Sequence, residues 1–329
     1  MRVACDISHL DLTRPTGISV YAAFVLDALR ARDDVELVVE EDRADTVLSL
    51  DGRFRAPRGA RSVTAIYELG HLFDRGAYPA RQWLSQNWRT ASAARRSDAL
   101  LAPSRAVAVG LTTYLRVDAD RVAVVEPRPR EWFRRARRED VDRLRGELHL
   151  PDPYLVAVGA DTPRQNLGLL GRAWALARPR LPEGAGLVLA GPGASRTAIE
   201  GAIDVGRVED EHLTALISGA AGWLRPAVYE GCSVGAMEAM ACGTTPLVAA
   251  TGALPRTVDK AGMVLDPHDP AEWAEAMVAI VERPEVRTAL SNAARKTIAD
   301  IRQQPIDLEP LLAALAGAPV PAPVAGPTC

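Results

Sequence analysis

Short apolar runs rich in β-branched residues alternate with longer amphipathic stretches, and this alternation runs through the chain twice. The first half offers strands at 3–7, 35–39, 46–50, 62–67, 99–102 and 122–125, separated by helical patterns, notably Ile18 to Arg30 and Arg81 to Arg96. The second half offers strands at 154–158, 186–189, 203–205, 222–224 and 245–248, again with helical stretches between them. Strands that alternate with helices mean βαβ units and a parallel sheet. Right-handed crossovers then place helices on both faces. The pattern restarts near residue 150, after the polar, arginine-rich stretch Arg128 to Leu148 and the prolines Pro151 and Pro153. The expectation is two doubly wound α/β domains. Residues 1–135 form the first, 136–153 connect, and 154–316 form the second, its last helix open to a return onto the first. Within 154–316, Asp269-Pro270-Ala271-Glu272 reads as a helix start, with Asp as N-cap and Pro in the first helical position. The Ala/Pro-rich residues 317–329 are expected to be disordered.

Composition narrows the function. A formal net charge of -3 over 329 residues gives no basic surface for neutralising phosphates, so nucleic-acid binding is not expected. The basic residues are almost all arginine, with Lys260 and Lys296 as the lysines, as in GC-rich bacterial coding. Cys5, Cys232, Cys242 and Cys329 form no CxxC pair and lie at no zinc spacing from a histidine, so reduced thiols and no metal site are expected. The N-terminus lacks the basic and apolar regions of a signal peptide, and no 18-residue apolar run is present. The expected location is cytoplasmic.

In open α/β sheets, ligands bind beyond the carboxyl ends of the strands. The most informative string stands there, after the strand at 222–224. It runs Glu230-Gly231-Cys232-Ser233-Val234-Gly235-Ala236-Met237-Glu238-Ala239-Met240-Ala241-Cys242-Gly243-Thr244-Thr245-Pro246. A loop with two glycines leads into a helix from Val234 to Cys242, which Gly243 ends. The helix start attracts an anion. Glu230 precedes the helix and Glu238 lies inside it. A carboxylate accepts two hydrogen bonds from a vicinal diol, so two carboxylates and an anion site suit a nucleotide sugar.

The string resembles the E-x7-E region of the retaining GT-B glycosyltransferases of family 4, the glycosyl transferases group 1, whose usual form is E-G-F-G-L-P-x-x-E-A-M-A-C-G-T-P-V. Further segments resemble that family in order: Thr16-Gly17-Ile18 to Tyr21, Ile66-Tyr67-Glu68-Leu69, Leu101-Ala102-Pro103-Ser104, Val158-Gly159 through Arg164-Gln165-Asn166-Leu167, Leu189-Ala190-Gly191, and Val205-Gly206-Arg207-Val208. The resemblance covers roughly residues 1 to 300. It implies two Rossmann-like domains facing across a cleft, the acceptor mostly on the first and the donor on the second. It implies transfer from a nucleotide-sugar donor to a small-molecule or saccharide acceptor, with retention, no cofactor and no protein-bound metal. Glu238 would bind the ribose, with Val208 beside the base. Glu230 would meet the donor sugar near the reacting carbon. Gly17, Gly231, Cys232, Ser233 and Val234 would hold sugar hydroxyls and phosphate oxygens.

Departures from the family form are as informative. The histidine of H-D-L is Tyr67 here, and His71, four residues on, is the candidate to face the reactants. The arginine after V-G is Ala160 and the lysine of K-N is Gln165, so both usual diphosphate cations are replaced. Arg164 is the adjacent charge that could take their place, with Gln165 beside it. Cys232 reads as a small pocket residue rather than a nucleophile, because no basic partner is visible. The Arg128 to Arg145 cluster, with Trp132 and Phe133, reads as a hinge with two anchoring aromatics in preference to a membrane-surface patch, since acidic neighbours dilute its charge. The alternative function from a different class is a catalytically weak GT-B protein that binds a nucleotide sugar or serves as a partner subunit.

Overall fold

The computed structural model describes residues 1–10, 16–55, 57, 59–160, 162–192 and 199–321. The chain divides into two units: Met1–Arg128 together with the segment beginning at Pro305, and Pro129–Gln304.

The first unit carries a parallel sheet of β1 (Arg2–Asp6), β2 (Glu36–Val38), β3 (Thr46–Ser49), β4 (Arg61–Ala65), β5 (Ala99–Ala102) and β6 (Val122–Val124), in the order β2-β1-β3-β4-β5-β6. Strands β3 and β5 are buried from end to end, β5 as Ala-Leu-Leu-Ala, as a sheet covered on both faces requires. Its helices are α1 (Gly17–Arg30), α2 (Gly70–Phe73), α3 (Ala80–Arg96) and α4 (Arg105–Leu115). Local sequence sets their starts. Thr16 and Ser19 form a reciprocal capping box on α1, and the Ser104 hydroxyl accepts the Val107 N–H on α4.

The second unit has the same plan. It begins with α5 (Arg138–Glu147), followed by β7 (Tyr154–Val158), α6 (Leu167–Ala177), β8 (Gly186–Ala190), β9 (Ala202–Gly206), α7 (Asp210–Gly219) and β10 (Gly222–Arg225). Then come α8 (Val234–Ala241), β11 (Thr245–Ala249), α9 (Leu254–Val258), β12 (Met263–Leu265), α10 (Pro270–Glu282) and α11 (Pro284–Gln303). All six strands are parallel, in the order β12-β11-β10-β7-β8-β9. Trp174 of α6 and Trp273 of α10 are buried together with the inward residues of β7, β8, β10 and β11. As the sequence implies, the Asp269 carboxylate caps α10 on the Ala271 and Glu272 N–H groups, with Pro270 in the first turn.

Three details differ from the sequence reading. Residues 138–147, expected within a connection, form α5 and pack against α7 inside the second unit. The short strand β12 was not expected, being only three residues long. The tail is ordered as far as it is described: Gly317 ends α12 (Glu309–Ala316), Val320 is buried, and its N–H bonds the Asp120 carbonyl at 2.8 Å. Residues 322–329 lie outside the described residues. Helix α12 packs on the first unit's sheet, where Thr46 Oγ1 donates to the Leu315 carbonyl at 2.8 Å and Arg61 Nε to that of Ala314 at 2.9 Å.

Candidate functional site

The E-x7-E string lies at the carboxyl edge of the second sheet. The 226–230 loop leaves β10 and is fixed from two sides. The Val228 N–H donates to the Arg164 carbonyl at 3.0 Å, and Thr251 Oγ1 donates to the Ala227 carbonyl at 2.8 Å. The Ala253 N–H bonds the Glu230 carbonyl at 2.7 Å. This approach requires Gly252, at φ +54°, because a Cβ there would stand 2.1 Å from the Glu230 carbonyl oxygen. Helix α8 then starts at Val234 and closes through a Schellman pair, Gly243 N–H to Met240 O at 2.9 Å and Thr244 N–H to Ala239 O at 3.0 Å. At its start Ser233 is 4% exposed, and its hydroxyl has no hydrogen-bond partner among the described residues. A buried hydroxyl left so beside a helix N-terminus is a ready contact for a ligand oxygen.

Both glutamates are held by arginine. Glu238 is buried at 6% exposure, and Arg130 Nε donates to its Oε1 at 2.5 Å. The same guanidinium donates through Nη1 to Asp210 Oδ2 at 2.7 Å and lies over the Phe133 ring at 4.5 Å. Burial pushes the Glu238 carboxyl above its usual range, while Arg130 opposes that rise. Glu230 is paired with Arg225, the last residue of β10: Arg225 Nε donates to Glu230 Oε2 at 2.9 Å and Nη2 to the same oxygen. Arg225 Nη1 donates to the Val158 carbonyl at 3.2 Å.

The remaining expected residues fall as follows. Gly231, Cys232 and Val234 lie on the loop and helix start; burial pushes the Cys232 thiol up strongly, against a thiolate role. Arg164 is half-buried on the turn after β7, its Nη1 donating to the Tyr229 carbonyl at 3.4 Å, and Gln165 beside it is buried at 7% exposure. Val208 is half-buried in the turn between β9 and α7, two residues before Asp210. In the first unit, Gly17 opens α1 at the surface, with open space where a Cβ would stand. His71, expected to face reactants, is instead 3% exposed and edge-on to Tyr78, and burial lowers its pKa to about 4. It is therefore a buried neutral ring at physiological pH. Tyr67, at the position of the family histidine, is 8% exposed and donates its hydroxyl to the Leu50 carbonyl at 2.5 Å. Of the two expected anchors at the start of the second unit, Phe133 is fully buried and Trp132 is 54% exposed. Among the described residues no cluster of three or more His, Cys, Asp or Glu could hold a metal ion.

Sequence reasoning missed Arg130 and Arg225. Arg130 lay hidden in an arginine-rich stretch, whereas Arg225, directly after an expected strand, stood at the position where sheet ligands bind.

Comparison with known proteins agrees with this architecture. Residues 152–283 match the family model described as glycosyl transferases group 1. The D-inositol 3-phosphate glycosyltransferase of Thermomonospora curvata is 32% identical over 248 residues, which is 66% of this chain and 55% of that enzyme. Alignments with two others of that name span 17% of the relatives' own length. The crystal structure of WaaG, a glycosyltransferase involved in lipopolysaccharide biosynthesis, superposes with a TM-score of 0.70 at 15% identity, covering 95% of this chain and 98% of WaaG. Anabaena HepE in complex with UDP-glucose superposes with a TM-score of 0.69 at 14% identity, covering 91% and 94%. Two parallel six-stranded sheets with flanking helices, the E-x7-E string at the edge of the second, and the match over 152–283 identify a glycosyl transferases group 1 domain within a chain of GT-B fold.

Proposed function

We propose that the chain transfers a sugar from a nucleotide-activated donor to a hydroxyl-bearing acceptor, with retention and without a metal ion. The observation that carries this reading is the buried edge of the second sheet. There Glu230, the orphaned Ser233 hydroxyl and Glu238 lie along one loop and helix start. Glu238 keeps Oε2 for the ribose while Arg130 holds Oε1. The N–H groups of Cys232 and Ser233 and the Ser233 hydroxyl take sugar and phosphate oxygens, and Glu230 takes sugar hydroxyls. Gln165 flanks the diphosphate and Val208 the base, while Arg164 ties the turn after β7 to the 226–230 loop. The role of Gly17 rests on the family resemblance alone.

In the reaction, the bond between the anomeric carbon and the phosphate oxygen breaks, and its electron pair stays on the leaving nucleoside diphosphate. The acceptor oxygen bonds to the anomeric carbon on the same face, and its proton passes to the departing phosphate. Hydrogen-bond donors fixed in advance around that phosphate stabilise the charge as it grows. The names of relatives and neighbours suggest where to begin: UDP-glucose as donor, and a polyol phosphate such as D-inositol 3-phosphate or a saccharide as acceptor.

The test is a thermal-shift screen of nucleotide sugars, followed by chromatographic detection of released nucleoside diphosphate with a panel of polyol and saccharide acceptors. One donor should stabilise the protein and turn over, in EDTA as well as without it, and NMR of the product should show the donor's anomeric configuration. Stabilisation without turnover across the panel would favour the binding or partner-subunit reading. An inverted product, or turnover lost to EDTA and restored by magnesium, would overturn the mechanism.

A further inference from the structure

The leaving diphosphate needs a side-chain cation, and the second unit holds one at the end of β10. Beyond the carboxyl ends of β7 and β10 lies a small hollow lined by Val158, Gly159, Ala160, Gln165, Arg225 and Pro226. Arg225 forms its charged wall. Its side chain is 14% exposed, and β10 carries it to the strand's last position. Three of its five N–H groups are used among the described residues, one by the Val158 carbonyl and two by Glu230. One N–H on each terminal nitrogen is left over. The backbone is shaped around the guanidinium: Gly159 sits at φ +149°, and a Cβ there would stand 3.0 Å from Arg225 Nη1 and 3.5 Å from the Gln165 side chain. Position 159 thus has to be glycine while the arginine lies over the turn.

We infer that Arg225 is the residue that takes the donor diphosphate's charge in this chain, with Glu230 as the counter-ion that holds it until the donor arrives. This rests on the nucleotide-sugar reading above. Arg164, the cation the sequence suggests, stands in a different relation: its Nη1 faces the Tyr229 carbonyl, and its own carbonyl receives the Val228 N–H, so it ties the turn after β7 to the 226–230 loop. Arg225 has the better geometry for phosphate. It is a planar fork at a strand end, already held by three hydrogen bonds before any ligand binds, so little side-chain entropy remains to be lost. A buried ion pair by itself adds little to stability, because desolvation offsets the attraction. The Arg225–Glu230 pair at a strand end is therefore better explained by what it can bind. When the diphosphate draws on Arg225, the carboxylate of Glu230 is released to accept the sugar hydroxyls, and one pair serves both halves of the donor.

The experiment is calorimetry of the full chain with UDP, GDP, ADP and dTDP, each beside its monophosphate. The readout is the ratio of diphosphate to monophosphate affinity for the base that binds best. R225Q should lower that ratio by about tenfold to a hundredfold, the worth of one lost charge-assisted hydrogen-bond pair. R164A should leave the ratio within a few-fold. E230Q should tighten diphosphate binding and steepen its salt dependence, since it removes the competing carboxylate; a purely structural pair would instead weaken binding in both single variants. Because R225Q leaves Glu230 buried without its partner, R225Q/E230Q removes both charges, and it should show the same loss of ratio. A wild-type ratio in the double variant, or a weakening in E230Q, overturns the inference while leaving the donor reading intact. Failure of the wild-type chain to bind any of the four diphosphates overturns both.

Discussion

Replacing Arg130 by Met should destabilise the second unit by an amount that depends on pH. Arg130 is 15% exposed and Glu238 8% exposed at their side chains, so the contact between them is shielded from solvent, while Asp210 at 36% is wetter. Removing one partner of a buried pair costs about 3–5 kcal/mol, because the other charge is left unpaired. The lost stacking on Phe133 and Trp132, at 4.5 and 5.2 Å, adds about 0.5–1 kcal/mol. The sign of the pH effect follows from burial. The Glu238 carboxyl is already raised in the folded chain, so the folded state holds its proton to higher pH than the unfolded state does. Stability from this group is then present at low pH and lost as pH rises through the raised value. Without Arg130 the carboxyl rises further, so the penalty should be larger at mildly alkaline than at mildly acid pH. Urea unfolding of the wild type, R130M, E238Q and R130M/E238Q at both pH values gives the double-mutant cycle. The double variant should recover most of the loss, to within about 1–2 kcal/mol of wild type, because a neutral amide beside an apolar side chain carries no buried charge. A loss in R130M below about 1 kcal/mol, or one that does not change with pH, would refute a shielded ion pair.

Two further outcomes follow. His71 is buried as the neutral ring with its pKa lowered to about 4 from 6.5, so stability should fall as pH drops through that interval, by at most about 3.4 kcal/mol at about 1.36 kcal/mol per pH unit; H71L should lack that component in denaturant melts taken from neutral to acid pH, and an unchanged slope would count against burial as its source. Glu238→Ala should weaken nucleoside diphosphate binding by about 1.5–3 kcal/mol in calorimetry, the scale of a charged hydrogen bond, and equal affinity would remove Glu238 from the ribose.

The fold class was legible because parallel strands buried on both faces write themselves as short apolar runs, and the helices between them repeat every three to four residues. Where the reading stopped short, the cause is local. The strand expected at 222–224 ends one residue later, and that residue, Arg225, is charged, so hydropathy cut the strand at the position that matters for ligands. Glu230 and Glu238 could be picked out because a loop, a helix and a glycine stop surround them. Their partners could not: Arg130 is 108 residues from Glu238 and stands among many similar arginines. His71 was proposed from spacing after Tyr67, but spacing carries no information on burial. The helix at 138–147 was masked by its charge, since only Leu144 on it is buried.

The two arginine–glutamate pairs constrain how a donor can bind. Arg130 and Arg225 face Glu230, Glu238 and Asp210, so both guanidinium groups are already engaged by carboxylates before a ligand binds. A diphosphate first meets the N–H left over on each terminal nitrogen of Arg225 and the partial positive charge at the start of α8. On the reading above, the attraction strengthens when Glu230 gives up Arg225 and finds other donors, and the hydroxyls of the donor sugar are such donors. On that reading, recognition of the sugar and of the diphosphate would be a single exchange of partners around Arg225, whereas a ribose contact at Glu238 would need no exchange, since Arg130 holds Oε1. Such an exchange would favour the intact donor over the leaving nucleotide, which is the preference a transferase needs in order to release its product.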